Sequence, residues 1–208
     1  SAFKKGNESF SFGFWINLTS LASRGLFGNL QGGGTNRGYG IRIDGDSVLR
    51  FYCSSTGVLT TLNVDYQVVS GSSLTINTWG FVVGVYDSSS DLLKISVDGG
   101  TFNSVSWANG AYASAGTLFV GALDAATWFI NGKMDSIFFY NKALSQSEVS
   151  ALYNSGSGLD YSSLSASQLT SLVSWWRLNE RSGTRVDQQG ANNLTDNNTV
   201  GYALGKVT

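Results

Sequence analysis

Residues 10–16, FSFGFWI, alternate without a break. Phe10, Phe12, Phe14 and Ile16 fall on one face of an extended strand, and Ser11, Gly13 and Trp15 on the other. Side chains along a strand point to opposite faces with a period of two, whereas a helix would scatter these aromatics around its axis. A strand with one face so heavily aromatic needs a second layer to cover it. The pattern recurs along the chain. YGIRIDGDSVLRFYC, 39–53, reads as two strands joined at Asp44-Gly45-Asp46, a composition that tolerates positive φ. WGFVVGVYDSSSDLLKISVDGG, 79–100, repeats the device around a serine-rich loop, and strands follow at TLFVGAL and, after the Asn131-Gly132 turn, at KMDSIFFYN. Many short strands with glycine-rich turns predict an all-β sandwich or jelly roll of two antiparallel sheets rather than βαβ units.

Two helical signals interrupt the strands. In ALSQSEVSALYNSG, Ser145 with Glu148 three residues on forms a capping box. Leu144, Val149, Leu152 and Tyr153 then supply an apolar stripe that ends at Asn154 and Gly156. The spacing predicts one short helix near 145–154 and a second, in SLSASQLTSLV, near 163–172.

Composition narrows the chemistry. The 208 residues contain no histidine, which removes Ser-His and Cys-His catalysis together with imidazole metal sites. The single cysteine, Cys53, allows neither an intramolecular disulfide nor a thiolate zinc cluster and reads as a small core residue. Of the three glutamates, Glu148 belongs to the capping box and Glu8 precedes the first strand, while Asp44 and Asp46 lie in a turn. No strand carries the paired carboxylates of a glycoside hydrolase, so a non-catalytic protein is expected. A net charge of −1 leaves no footprint for nucleic acid, and no apolar run reaches the roughly 18 residues that would predict membrane insertion. Charged residues make up only 13%, their place taken by Ser, Thr, Asn and Gly, which suits an extracellular or virion surface. The three glycines of LQGGGTNRGYG lack a following GK[ST] and read as a hairpin loop, not a phosphate cradle. Sequons begin at Asn7, Asn17, Asn193 and Asn197 and matter only in a secretory host that glycosylates them.

Glycan recognition uses exposed aromatic faces for stacking and Asn, Asp or backbone groups for hydroxyls. Trp107 in VSWANGAY and Trp128 in DAATWFINGK lie in or beside loops, with Asn109 and Tyr112 near the first. These four are the candidate ligand-binding residues.

The phrases ESFSFGFWINLTSLASRGLFGN, YGIRIDGDSVLRFY, FINGKMDSIFFYNKALSQSEVSALYNSG and LVSWWRLNERSGT together resemble the laminin-G-like, concanavalin A-like jelly-roll domains. The resemblance implies two curved antiparallel sheets packed face to face, a fold that serves lectins, adhesion modules and virion components. It also implies a rim calcium near VDQQGANN, held by Asp187 and Asn192 with Asp135 and Glu180 as partners. In those relatives the WWRLNERSGT phrase comes first, whereas here it comes last. The chain is therefore expected to be a single jelly roll over 1–208: a main sandwich at 1–155, a linker at 156–171, and a segment at 172–208. That segment would complete its own sandwich, belong to one register of a tandem array, or add strands to a neighbouring subunit and so self-associate. The expected function is a binding or adhesion module for carbohydrate or a protein surface. The alternatives are a virion decoration or fibre protein and, last, a glycoside hydrolase-like enzyme.

Overall fold

The structure is a computed structural model, and it describes residues 2–30, 35–197 and 200–207. The glycine run at 32–34 and the end of the sequon at 197–199 lie outside the described residues.

Two antiparallel sheets make the sandwich. The first has six strands in the order β11-β10-β1-β6-β7-β8, and the second five, in the order β5-β4-β3-β2-β9. The six are β1 (Phe10–Leu18), β6 (Trp79–Asp87), β7 (Leu92–Val97), β8 (Asn103–Ser106), β10 (Gly132–Tyr140) and β11 (Leu172–Trp176). The five are β2 (Arg24–Gly28), β3 (Tyr39–Ile43), β4 (Leu49–Ser54), β5 (Tyr66–Ser70) and β9 (Phe119–Val120). The all-β, two-sheet fold expected from the alternation is the one observed.

The aromatic face of β1 does what its pattern requires. Phe10, Phe12, Phe14 and Ile16 enter one apolar cluster with Tyr39, Ile41, Phe51 and Cys53 from the opposing sheet and Phe139 and Trp176 from β10 and β11. Phe12 stacks on Phe27 at 4.6 Å and meets Phe51 edge-on at 5.3 Å, so aromatic contacts join the two sheets directly.

The other face of the six-stranded sheet is buried as well. Trp15, Phe81, Val83, Phe138 and Trp175 form a second cluster with Val149 and Leu152 of α1 (Gln146–Tyr153) and with Val207. Ser11 is fully buried on this side, and its hydroxyl donates to Lys142 O at 2.7 Å and accepts from Leu144 N at 2.8 Å. That exchange ties the segment entering α1 to β1. Both members of the tryptophan pair are therefore core residues, Trp176 facing the sandwich interior and Trp175 the helix side.

The capping box of α1 forms as read, with Ser145 and Glu148 each accepting from the other's backbone N–H. The second helix is shorter than its expected span of 163–172. α2 is a single turn, Ala166–Leu169, capped reciprocally by Ser165 and Gln168. Its length is set by its ends: Ser165 takes the N-cap, and Ser171 at φ 64° turns the chain into β11. Strand β11 pairs antiparallel with β10 of the same chain, Trp176 opposite Ile137 and Trp175 opposite Phe138.

Among the described residues the helices lie over the six-stranded sheet, and the five-stranded sheet has its outer face covered only in part, by the loop before β10. Its outward positions include Arg42, Arg50, Tyr52, Tyr66 and Val68, which the ladder places side by side: Arg42 opposite Arg50, and Tyr52 opposite Val68.

Candidate functional site

Two arginines directly opposite each other on one sheet face repel unless something stands between them. Asp44, at the turn between β3 and β4, does so. Its Oδ1 accepts from Arg42 Nε at 2.6 Å, and its Oδ2 accepts from Arg50 Nη1 at 2.9 Å and from the Tyr52 hydroxyl at 2.5 Å. Asp46, at the same turn, accepts from Arg50 Nη1 and Nη2 at 2.7 and 2.6 Å. The hydrogen bond from Arg50 holds the Asp46 carboxyl down to about 2. Burial, followed by the bond to Asp44, pushes the Tyr52 hydroxyl up to about 12. The turn that the sequence marks only as a turn therefore supplies the acids that order this face.

Aromatic rings flank Arg42. Its guanidinium carbon lies 4.1 Å from the centroid of the Tyr52 ring and 5.8 Å from that of Trp128, and Tyr52 in turn stacks on Tyr66 at 5.9 Å and 26°. Trp128 is 39% exposed. It reaches the sheet because the loop before β10 is built tightly. The Asp124 carboxylate accepts from the N–H groups of Ala126 and Thr127 and from the Thr127 hydroxyl, all within 2.8 Å. Trp128 itself adopts φ 58° and accepts a backbone hydrogen bond from Gly25 N at 3.1 Å. Gly25 is opposite Arg42 in the ladder. A Cβ at Gly25 would stand 2.3 Å from Leu123 N and 2.5 Å from the Ala122 carbonyl carbon, so only a glycine lets the loop descend here.

The same loop bounds a groove of about 850 Å³ lined by Phe119, Phe129, Ile130, Met134, Leu178 and Leu194, with Lys133, Asn193 and Asp196 among its polar groups. Its far wall is the C-terminal strap, Val200–Leu204. Two buried charged residues hold the strap's ends. Arg185, 4% exposed, donates to Asp196 Oδ2 at 3.0 Å and to Val200 O at 3.4 Å. Asp135, 1% exposed, accepts from Lys206 N and from Val207 N at 2.5 and 2.8 Å.

The four candidate ligand residues do not converge. Trp107 is buried in the core, its ring N–H donating to Gly110 O at 2.8 Å, because the chain leaving β8 folds the indole under the sandwich to cap it. Asn109 is exposed in that same loop. Half-buried Tyr112 follows it, with its carbonyl beside Gly38 at the start of β3. Arg42, beside Trp128, is four residues further along that strand, about 13 Å at the usual strand rise. Only Trp128 of the four belongs to the aromatic face. Arg42, Tyr52 and Tyr66 were missed, although the alternation of GIRID and LRFYC already turns Arg42, Arg50 and Tyr52 away from the core.

The four metal candidates separate too. Asp187 and Asn192 do meet, but as a clasp beneath β11. Asp187 Oδ1 accepts from Trp175 N and Gln189 N at 2.9 and 3.1 Å, and its Oδ2 accepts from Asn192 N at 3.1 Å. Burial raises the Asp187 carboxyl, but hydrogen bonds from Trp175 N, the Ser174 side chain, Gly190 N and Gln189 N outweigh it and the net displacement is downward. Asn192 also donates to Ser174 Oγ at 2.9 Å and accepts from Trp176 Nε1 at 2.7 Å. Asp135 is engaged with the strap, and Glu180 Oε1 accepts from Val186 N at 2.9 Å. Among the described residues no three acidic or thiol groups are placed to share a cation. The Asp187 oxygens are already spent on N–H donors, and the set does not fit calcium.

Two packed antiparallel sheets, a helix over the outer face of one and an aromatic, arginine-bearing surface on the other make a jelly-roll sandwich. The model of the concanavalin A-like lectin/glucanases superfamily (the laminin-G type) matches residues 1–150, and the chain belongs to that family. Among solved structures, it is similar to a proposed carbohydrate-binding protein of Bacteroides ovatus. The identity is 16% and the TM-score 0.63, over 96% of this chain and 56% of that one. This chain thus spans little more than half the length of that relative. It is also similar to the Ruminococcus gnavus IT-sialidase CBM40 bound to α2,3-sialyllactose, at 16% identity and a TM-score of 0.56, over 70% and 83% of the two chains. A third is a pentraxin of Limulus polyphemus at 11% identity and 0.51, covering 73% of each. At these identities the likeness is one of fold. A sequence comparison with curated proteins found no match.

Proposed function

We propose that this chain is a carbohydrate-binding module whose binding surface is the outer face of the five-stranded sheet, centred on Trp128, Arg42 and Tyr52. The observation that carries the reading is the exposed Trp128 ring, held at positive φ by a dedicated loop beside a guanidinium that is itself laid over Tyr52. A non-glycine residue in that conformation carries backbone strain, and strain of this kind is retained where a side chain has to be presented. Flat aromatic faces take the C–H side of a pyranose ring, and guanidinium and phenol groups take its oxygens. The carbohydrate-binding proteins that share the fold support the reading. Binding rather than catalysis is favoured because the acids of this face, Asp44 and Asp46, are engaged by arginines and a tyrosine and leave no carboxylate pair across an open site.

A glycan array tests this with the parent protein and Trp128→Ala. The parent should bind a defined set of glycans, and the variant should lose that binding by about tenfold or more while keeping the parent's melting temperature. Equal binding by the variant, or no glycan bound by the parent, overturns it.

A further inference from the structure

The strongest donor left open on this face is one edge of a guanidinium. Every oxygen of Asp44 is engaged: Oδ1 by Arg42, and Oδ2 by Arg50 and Tyr52. Both Asp46 oxygens are held by Arg50. The Tyr52 hydroxyl donates to Asp44. Arg42 makes its ion pair through Nε, and the Tyr52 hydroxyl also lies within hydrogen-bonding range of its guanidinium, so among the described residues no carboxylate holds the Nη1–Nη2 fork. Among the described residues the Trp128 indole N–H and the Tyr66 hydroxyl make no hydrogen bond. The fork and the indole can only donate, the Tyr66 phenol can act either way, and the Tyr52 oxygen and the two carboxylates keep lone pairs that can accept.

A neutral sugar presents hydroxyls that both donate and accept. A guanidinium fork that no carboxylate occupies, set between aromatic rings, instead complements a planar, negatively charged group rich in acceptors. The geometry of Arg42 narrows this further. A guanidinium has two edges that can grip a planar oxyanion, and Asp44 takes the Nε side, leaving the Nη1–Nη2 fork. The rings of Tyr52 and Trp128 flank that fork and limit how it can swing, so little ordering is lost when a partner arrives.

We infer that the carbohydrate recognised on this face carries a carboxylate, held two-pronged by Nη1 and Nη2 of Arg42, with the pyranose ring against Trp128 and the Tyr66 hydroxyl within its reach. This rests on the carbohydrate-binding reading above. It names the ligand as an acidic sugar, either a sialic acid or a uronic acid, which present the same carboxylate chemistry.

Calorimetric titration with four probes separates the possibilities: 3′-sialyllactose, a galacturonic acid trisaccharide, lactose, and 3′-sulfolactose. At least one carboxylated sugar should bind about tenfold or more tighter than lactose, and which of the two does so identifies the source of the carboxylate. Arg42→Gln should reduce that sugar to the lactose level, and Arg42→Lys should recover little, because an ammonium keeps the charge and loses the fork. Trp128→Ala should weaken acidic and neutral sugars alike. Melting curves for each variant show whether it is folded, and Asp44 keeps Arg50 and Tyr52 when Arg42 is replaced. Lactose bound as tightly as the acidic sugars, an acid preference that survives Arg42→Gln, or a preference for the sulfated sugar over both carboxylated ones overturns the inference. In each of those cases Trp128-dependent binding would leave the carbohydrate-binding reading standing. Absence of binding to every sugar, on the array as well, overturns that reading and the inference with it.

Discussion

Gly25 stands directly opposite Arg42 in the β2–β3 ladder, and its bare Cα is the floor on which the Ala122–Trp128 loop rests. The arginine fills its side of the sheet face, and the glycine leaves its own side empty. The loop occupies that space and delivers Trp128 to the guanidinium. Gly25→Ala would put a methyl 2.3 Å from the Leu123 nitrogen, a backbone atom that cannot yield as a side-chain tip would. The variant should lose about 1–3 kcal/mol of stability by urea denaturation and, with the loop lifted, most of its glycan affinity.

Trp107 and Trp128 should answer the same substitution in opposite ways. Trp107→Ala removes a buried indole, 3% exposed, and should cost about 3–5 kcal/mol of stability. Trp128→Ala removes a ring that is 39% exposed and should shift stability by no more than about 0.5 kcal/mol while lowering glycan binding by about tenfold or more. Paired denaturation and binding titrations on the two variants check this.

The buried aspartates at the two ends of the C-terminal segment should give pH dependences of opposite sign. Burial raises Asp135 above the ordinary 3.8, and the N–H donors of Val207 and Lys206 only partly offset it. The folded chain therefore keeps that proton to higher pH than the unfolded chain, and this contribution to stability is lost as pH rises through the folded value. Asp187 lies below 3.8, so its contribution is present above that value and lost as pH falls. Asp135→Asn should gain on the parent as pH rises above about 4, and the deficit of Asp187→Asn should shrink below about pH 4. Urea unfolding as a function of pH measures both.

Because the Asp187 carboxylate already accepts from backbone N–H groups of Trp175, Gln189 and Asn192, a chelator should change neither the melting temperature nor glycan binding. A melting temperature that rises with millimolar calcium and falls with chelator would contradict this.

Removal of Val200–Thr208 should unseat Val207 from the helix-side cluster and leave the Asp135 carboxylate without its two N–H donors. The cost should be about 2–4 kcal/mol, with faster amide exchange in β10.

Much of this architecture was legible in the residues. The hairpin of β3 and β4 could be read because its alternation and its Asp-Gly turn agree, and α1 because Ser145 and Glu148 lie three apart beside an apolar stripe. Both are local signals, complete within a dozen residues. The face proposed to bind carbohydrate was not legible in the same way. Whether a loop tryptophan folds under the core, as Trp107 does, or stands beside an arginine, as Trp128 does, depends on what lies opposite it in space. The only trace in the sequence is a glycine at 25 whose partner loop is far away along the chain. Outward-facing strand residues such as Arg42 and Tyr52 look like any solvated face until their neighbours on adjacent strands are known. The calcium ligands expected from the resemblance do not converge for a related reason: proximity in VDQQGANN is real, but Trp175 N of β11 and the loop N–H groups of Gln189 and Asn192 engage the Asp187 oxygens.

The two sheets of this sandwich are not equally free to change. Every strand position near the middle of the six-stranded sheet is packed on one side against the opposing sheet or on the other against α1 and the tail, so an exchange there must conserve volume. On the five-stranded sheet, five of the sixteen positions of β3, β4 and β5 are not buried: Arg42, Arg50, Tyr66, Val68 and Ser70. Substitution at those outward residues, or exchange of the loop seated on Gly25, can therefore change this surface while the sandwich that carries it stays the same.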